Sequence, residues 1–173
     1  MKQISSISDI DVSFDDRLVK GKVVSITSTF KHNIDTFFAQ ELIKSNTQQI
    51  VKPLAKIRFI KQNEDSKNWQ EGFTYELEIK PYGLFNLWGI HYIHIIEIDD
   101  VNKKIITQEK NTICKVWNHE LVFEKINVCE TNYTDQVILY AGKLTKVLSW
   151  FLVYSYKKRH KNWNRLLNKL QKT

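Results

Sequence analysis

The sequence is poor in glycine, proline and cysteine. Its 173 residues include five glycines, two prolines and two cysteines. So little glycine excludes a collagen-like repeat and argues against phosphate-binding loops of the Gly-x-Gly-x-x-Gly or Walker type. Cys114 and Cys129 are too few for a disulfide framework, and no Cys-x-x-Cys motif or Cys/His cluster predicts a zinc site. We therefore expect a reducing compartment, no metal and no cofactor.

Long apolar runs are also missing. The longest, residues 147–156, has about ten residues and contains two serines, whereas a bilayer span needs about 20. The first residues lack the apolar core of a secretory signal. With 42% hydrophobic and 12% aromatic residues, the chain can still form one domain with a sizeable core. These features predict a soluble cytoplasmic protein.

The formal net charge of +7 belongs to one end of the chain. Residues 157–173 carry seven basic side chains and no acidic one, and the other 19 basic residues are balanced by 19 acidic ones. The basic end can complement a helix dipole, attract nucleic acid or support peripheral membrane contact. The neutral body argues against nucleic acid. The membrane hypothesis uses an apolar stripe formed by Trp163, Leu166, Leu167 and Leu170.

Strand patterns dominate the middle of the sequence. Apolar and polar residues alternate there with a period of two, and the connections are short, which predicts an antiparallel sheet of about seven strands. Residues 1–17 are polar and acid-rich and form either a loose N-terminal arm or an added edge segment, before a single domain over residues 18–173. The predicted strands cover residues 18–30, 54–60, 73–80, 90–98, 104–111, 113–123 and 133–140.

Helical patterns occur in two places. Asn33 is a candidate N-cap for a short helix, and a second short helix fits before Pro53. After Gly142, apolar residues at three-to-four spacing predict one C-terminal helix of about 25 residues. Its first half is apolar nearly all round, so we expect a concave sheet to cover it on several sides.

This order of elements resembles the helix-grip fold of the START-like or SRPBCC superfamily, an α+β fold. The superfamily includes the birch pollen allergen, lipid-transfer START domains, polyketide cyclases and co-chaperones. Three strings resemble its small bacterial members: Trp117-Asn118-His119, Tyr133-Thr134-Asp135 and Tyr156-Lys157-Lys158-Arg159-His160. The resemblance spans residues 18–167. It implies a cavity between the curved sheet and the C-terminal helix that takes a hydrophobic or aromatic, lipid-like or polyketide-like molecule.

The pattern supplies an apolar lining for such a cavity, although the same side chains could pack as solid core. A turn that contains Tyr82, Phe85, Leu87 and Trp88 could cover its entrance. The candidate ligand-binding residues are Tyr75, Leu77, Trp117, His119, Tyr133, Leu148, Phe151 and Leu152.

His119 is the candidate with chemistry of its own. It shares a strand face with Trp117 and Leu121, and a turn centred near residue 128 places it opposite Val137 and diagonal to Asp135. A His119–Asp135 pair would orient the imidazole and raise its pKa. Such a pair fits a structural or ligand-orienting role, and alternatively a cyclase- or dehydratase-like enzyme that uses His119 as acid or base.

The other titratable residues predict less. His91 and His94 lie three apart on a strand and face opposite sides, so they cannot share one metal ion. A third hypothesis is a partner-binding protein that uses a sheet edge or the basic end. Four carboxylates alternate with apolar residues and are expected on solvated strand faces: Glu97, Glu109, Glu120 and Glu124.

Overall fold

The computed structural model describes residues 2–61, 66–82 and 89–172. Within these ranges the chain forms one eight-stranded sheet and three α-helices. The expected entrance residues Phe85, Leu87 and Trp88 lie outside the described residues. The strands are β1 (Gln3–Phe14), β2 (Arg17–Phe30), β3 (Ala55–Lys61), β4 (Thr74–Pro81), β5 (Ile90–Asp99), β6 (Lys104–Lys110), β7 (Val116–Asn127) and β8 (Glu130–Tyr140). The helices are α1 (Ile34–Glu41), α2 (Lys44–Ile50) and α3 (Thr145–Leu170).

Every neighbouring pair of strands is antiparallel, and the order across the sheet is β1-β2-β8-β7-β6-β5-β4-β3. The sheet is curved and open, and α3 packs against β2 and β8 on its inner face. The two short helices carry the chain from β2 to β3 at the far edge of the sheet. Asn33 caps α1 as predicted, because its side chain accepts hydrogen bonds from the backbone N–H groups of Asp35 and Thr36.

The N-terminal segment is an added edge strand and not a loose arm. Residues 3–14 pair with β2 along their whole length, which gives one strand more than the seven predicted. The turn between them uses Asp15 and Asp16 at φ values of 55° and 56°, a conformation that aspartate tolerates in tight hairpins. Gly21 lets three strands approach closely, since a Cβ there would lie 2.6 Å from Val12 Cγ2 and 2.9 Å from the Leu139 oxygen.

The apolar stripe predicted for membrane contact is largely internal. Trp163 and Leu167 are fully buried, and the Trp163 ring lies edge-on to Phe37 of α1 at 5.3 Å between centroids. Leu166 is half-buried against the core cluster that contains Trp163, Leu167 and Phe37. Of the four stripe residues, only Leu170 is exposed. The stripe faces inward because α1 and the sheet cover this side of α3.

The first half of α3 is less covered than predicted. Val147, Trp150 and Tyr154 are 66%, 67% and 56% exposed, whereas Ser149 and Leu152 are buried. The sheet contacts one side of the helix, and a helix of 3.6 residues per turn leaves positions on the opposite side in solvent. No helix of the described chain is long and apolar enough to cross a bilayer.

Candidate functional site

A cavity of about 160 Å³ lies between α3, α2 and the inner face of the sheet. Most of its wall is aliphatic or aromatic, and its polar end is formed by residues of β5, β6, β7 and α3. A smaller compartment of about 60 Å³ adjoins it, and the two share Thr47, Ile93, Glu109, His119 and Arg159 in their walls. The apolar wall of the larger cavity includes Val51, Leu54, Ile57, Leu77, Ile79, Ile93, Trp117, Phe151 and Leu152.

The structure brings most of the predicted binding residues to this cavity. The cavity wall includes Leu77, Trp117, His119, Phe151 and Leu152. Their positions follow from side-chain periodicity, because alternate residues of a strand share a face and helix residues three or four apart share a side.

Three predicted binding residues do not line it. Tyr75 is fully buried, and its hydroxyl accepts a hydrogen bond from the backbone N–H of Gln70. Tyr133 is also fully buried and bonds Asp135 through its hydroxyl. Leu148 is partly buried and packs against a core cluster that includes Leu152 and Trp117. Each of the three lies in the structural core around the cavity.

The predicted contact between His119 and Asp135 exists. A turn at residues 128–129 sets His119 opposite Val137, and His119 Nε2 lies 2.8 Å from Asp135 Oδ1. His119 Nδ1 lies 3.5 Å from Glu109 Oε1 on the neighbouring strand. Burial alone would lower the pKa of His119, but its hydrogen bonds to Asp135 and Glu109 outweigh burial and raise the pKa to about 9. At neutral pH the ring is therefore an imidazolium between two carboxylates.

Asp135 is the centre of a buried polar network. Its Oδ1 also accepts from the Tyr133 hydroxyl at 2.9 Å, and its Oδ2 lies 2.8 Å from His160 Nε2. The Arg159 guanidinium is 3.6 Å away. Burial would raise the pKa of Asp135, but Arg159 and the bonds to His119 and His160 hold it well below its usual range. A fully buried aspartate thus stays ionised because several donors and a cation surround it.

The expectation that Glu109 lies on a solvated strand face is wrong. It is buried, with Oε2 2.7 Å from His91 Nε2 and Oε1 accepting from the Thr107 hydroxyl at 2.6 Å. Burial would raise its pKa, but the bonds to His119 and His91 hold the pKa well below its usual range. The other ring nitrogen of His91, Nδ1, lies 3.0 Å from Asn111 Nδ2. Both ring nitrogens of His91 therefore make hydrogen bonds inside the protein. No group of three or more His, Cys, Asp or Glu side chains in the described part of the chain could hold a metal ion.

One basic residue of the C-terminal end, Arg159, is not on the surface as the sequence analysis had assumed. It points inward from α3, and its Nη2 donates to Glu41 Oε1 at 2.6 Å and to the Tyr133 hydroxyl at 3.2 Å. Glu41 lies at the end of α1 with a side chain 3% exposed. Burial raises the pKa of Glu41, and the nearby Arg159 only partly offsets that effect. The pair ties α1 to α3 beside the smaller compartment.

Sequence reasoning missed Glu41, Glu109, Arg159 and His160 as site residues. Signals for two of them were present. Glu109 shares its strand face with buried Ile105, and His160 is four residues after Tyr156 on the buried side of α3. The sequence gives a weaker signal for Arg159 and Glu41, because the burial of either charge can be explained only when its partner is known.

No family model matches the sequence, and the search of curated proteins found no match. Solved structures do match it. One is a START superfamily protein from Mycobacterium smegmatis, with a TM-score of 0.65 and 9% identity over 86% of this chain and 98% of that one. Another is Ara h 8.0201, with a TM-score of 0.63 and 10% identity over 85% and 97%. CalU16 from Micromonospora echinospora matches with a TM-score of 0.58 and 5% identity over 99% and 92%.

At these identities the similarity concerns the fold. The sequence had indicated an antiparallel sheet, two short helices after the first predicted strand and a long C-terminal helix, and the structure has all three, with the added strand β1 in front. The chain therefore has the START-like helix-grip fold, as predicted.

Proposed function

We propose that the protein is a binding module that encloses a small hydrophobic or aromatic molecule between the sheet and α3. The observation that carries this proposal is the cavity of about 160 Å³ with an apolar wall. Close-packed protein interiors leave few voids larger than a water molecule. An apolar cavity of about 150 Å³ admits a benzene ring. The volume favours a compact ligand of about one ring over a long-chain lipid.

Binding is favoured over acid–base catalysis by the state of His119. The ring does reach the cavity wall, as the enzyme alternative requires. However, its Nε2 faces Asp135 and its Nδ1 faces Glu109. A general acid or base needs a nitrogen within hydrogen-bond reach of the reacting group. An imidazolium whose two N–H groups are both directed at carboxylates offers neither a free proton nor a lone pair to a substrate.

The test is a substitution that fills the cavity, followed by a measurement of ligand binding. Protein purified without detergent is measured by native mass spectrometry, then titrated with toluene under NMR observation. Ala55→Phe adds a ring to the cavity wall, and Lys56→Phe adds the same ring on the exposed side of the same strand. We expect binding by the wild type and Lys56→Phe and its loss in Ala55→Phe. Equal binding by both variants would place the ligand elsewhere and refute the proposal.

A further inference from the structure

Three buried polar atoms beside the cavity have no hydrogen-bond partner within the described residues. They are Glu41 Oε2, Thr47 Oγ1 and Arg159 Nε. A buried polar group without a partner costs about 1–3 kcal/mol, so native proteins rarely leave one unsatisfied. All three residues line the same small compartment of about 60 Å³. Two of them, Thr47 and Arg159, also line the larger apolar cavity.

The ion pair between Glu41 and Arg159 explains why two of these atoms are available. Glu41 Oε1 accepts a hydrogen bond from Arg159 Nη2 at 2.6 Å. Nη2 and Nε share one edge of the guanidinium, and a carboxylate often occupies that edge with both oxygens. Here Glu41 uses only one oxygen. One acceptor and one donor therefore remain, on two residues that line the same compartment.

The remaining pair of atoms selects the charge of the ligand group. A carboxylate would meet the carboxylates of both Glu41 and Glu109 in this compartment. An ammonium group would add a cation beside Arg159 and His119 and would leave the Arg159 Nε proton without an acceptor. A hydroxyl can accept one hydrogen bond and donate another, so it satisfies both atoms without adding charge.

We propose, building on the binding function above, that the cavity takes a neutral hydroxylated aromatic molecule of the phenol class. Its ring occupies the cavity of about 160 Å³. Its hydroxyl enters the compartment of about 60 Å³, accepts from Arg159 Nε and donates to Glu41 Oε2, with Thr47 Oγ1 as a further partner. The apolar wall supplies affinity, and the polar compartment supplies selectivity.

Four one-ring probes separate the possibilities. Phenol and toluene have nearly the same shape and differ by a hydroxyl against a methyl group, while benzoate and benzylamine add an anion and a cation. Toluene gains more from leaving water, so it should bind better wherever the hydroxyl finds no partner. By calorimetric titration at one pH, we expect phenol to bind about tenfold more tightly than toluene and the charged probes more weakly than both.

Variants assign the preference to this compartment. Thr47→Val and Glu41→Gln should each reduce the phenol-to-toluene ratio by about threefold or more, and Thr74→Val, at an exposed strand position, should leave the ratio unchanged. Thermal unfolding of each variant confirms that it folds, and Thr47→Val keeps the test available if Glu41→Gln does not. Toluene binding as tightly as phenol, or benzoate or benzylamine binding most tightly, would overturn the proposal.

The two proposals can fail separately. Equal binding of phenol and toluene in the wild type, lost in Ala55→Phe, would leave the binding function intact and refute the hydroxyl site. A cavity-bound adduct in native mass spectra combined with no binding of any probe would refute the phenol class alone. Binding that is unaffected by Ala55→Phe would refute the binding function itself.

Discussion

The buried imidazolium predicts how the stability of the protein depends on pH. Folding raises the pKa of His119 from its ordinary value of about 6.5 to about 9, because Asp135 and Glu109 hold the charged form. A group whose pKa rises on folding stabilises the folded state most below its unfolded pKa. That contribution is lost as the pH increases from about 6.5 through about 9.

The size of the effect follows from the two pKa values. One pKa unit corresponds to about 1.4 kcal/mol, so the interval from about 6.5 to about 9 is worth about 3 kcal/mol of unfolding free energy. His119→Gln cannot titrate. The difference in unfolding free energy between the wild type and this variant should therefore shrink by about 3 kcal/mol from about pH 6.5 to about pH 9.5.

Urea unfolding at several pH values measures that difference directly. Groups that do not interact with His119 titrate alike in both proteins and cancel in the comparison. His94→Gln is the matched control, since His94 bonds the exposed Thr74 hydroxyl and contacts neither carboxylate. The change with pH should be larger for His119→Gln than for His94→Gln. A constant difference between the wild type and His119→Gln would refute the assignment of a charged ring between Asp135 and Glu109.

Three further predictions concern burial, charge and the basic end of α3. Trp163→Ala should lower the unfolding free energy by about 3–5 kcal/mol in urea, and Trp150→Ala on the opposite side of the helix by less than about 0.5 kcal/mol. Glu109→Gln should cost about 3–5 kcal/mol by the same measurement, because it removes one of the two buried carboxylates that compensate the His119 imidazolium, whereas exposed Glu124→Gln should be nearly neutral. The basic end should attract anionic membranes by charge: the protein should sediment with anionic vesicles at low salt, remain free of neutral ones and dissociate as salt increases.

Most of the fold was predictable because each part has a local cause. Alternation placed seven strands, the Asn33 cap began α1, and three-to-four spacing gave one long terminal helix. The strand that was not assigned, β1, is an edge strand with mostly exposed, polar side chains. Its pattern is weak because it buries little apolar surface. Its pairing depends on β2 and on Gly21, and both lie outside residues 1–17. The pattern of residues 1–17 alone therefore could not predict the pairing.

The candidate site was predictable only where it depends on strand register. The contact between His119 and Asp135 follows from the position of one two-residue turn, so counting along β7 and β8 finds it. The pair of Glu41 and Arg159 joins residues 118 positions apart on two helices. An ionised residue on a buried helix side is costly until its partner is known. Solvation was therefore the reasonable expectation for Arg159, and tertiary structure was needed to correct it.

The polar network also explains how the cavity can remain open. Glu41, Glu109, His119, Asp135 and Arg159 come from five different elements and meet at the polar end of the cavity. Apolar residues of similar volume often give equal or greater stability than a buried ionic network, so stability alone does not account for these residues. Hydrogen bonds to charged groups have narrow geometry, and they fix the position of α3 relative to the strands. An apolar contact there could adapt its packing and close the gap, whereas a network with defined distances keeps helix and sheet apart at the width that the apolar wall surrounds.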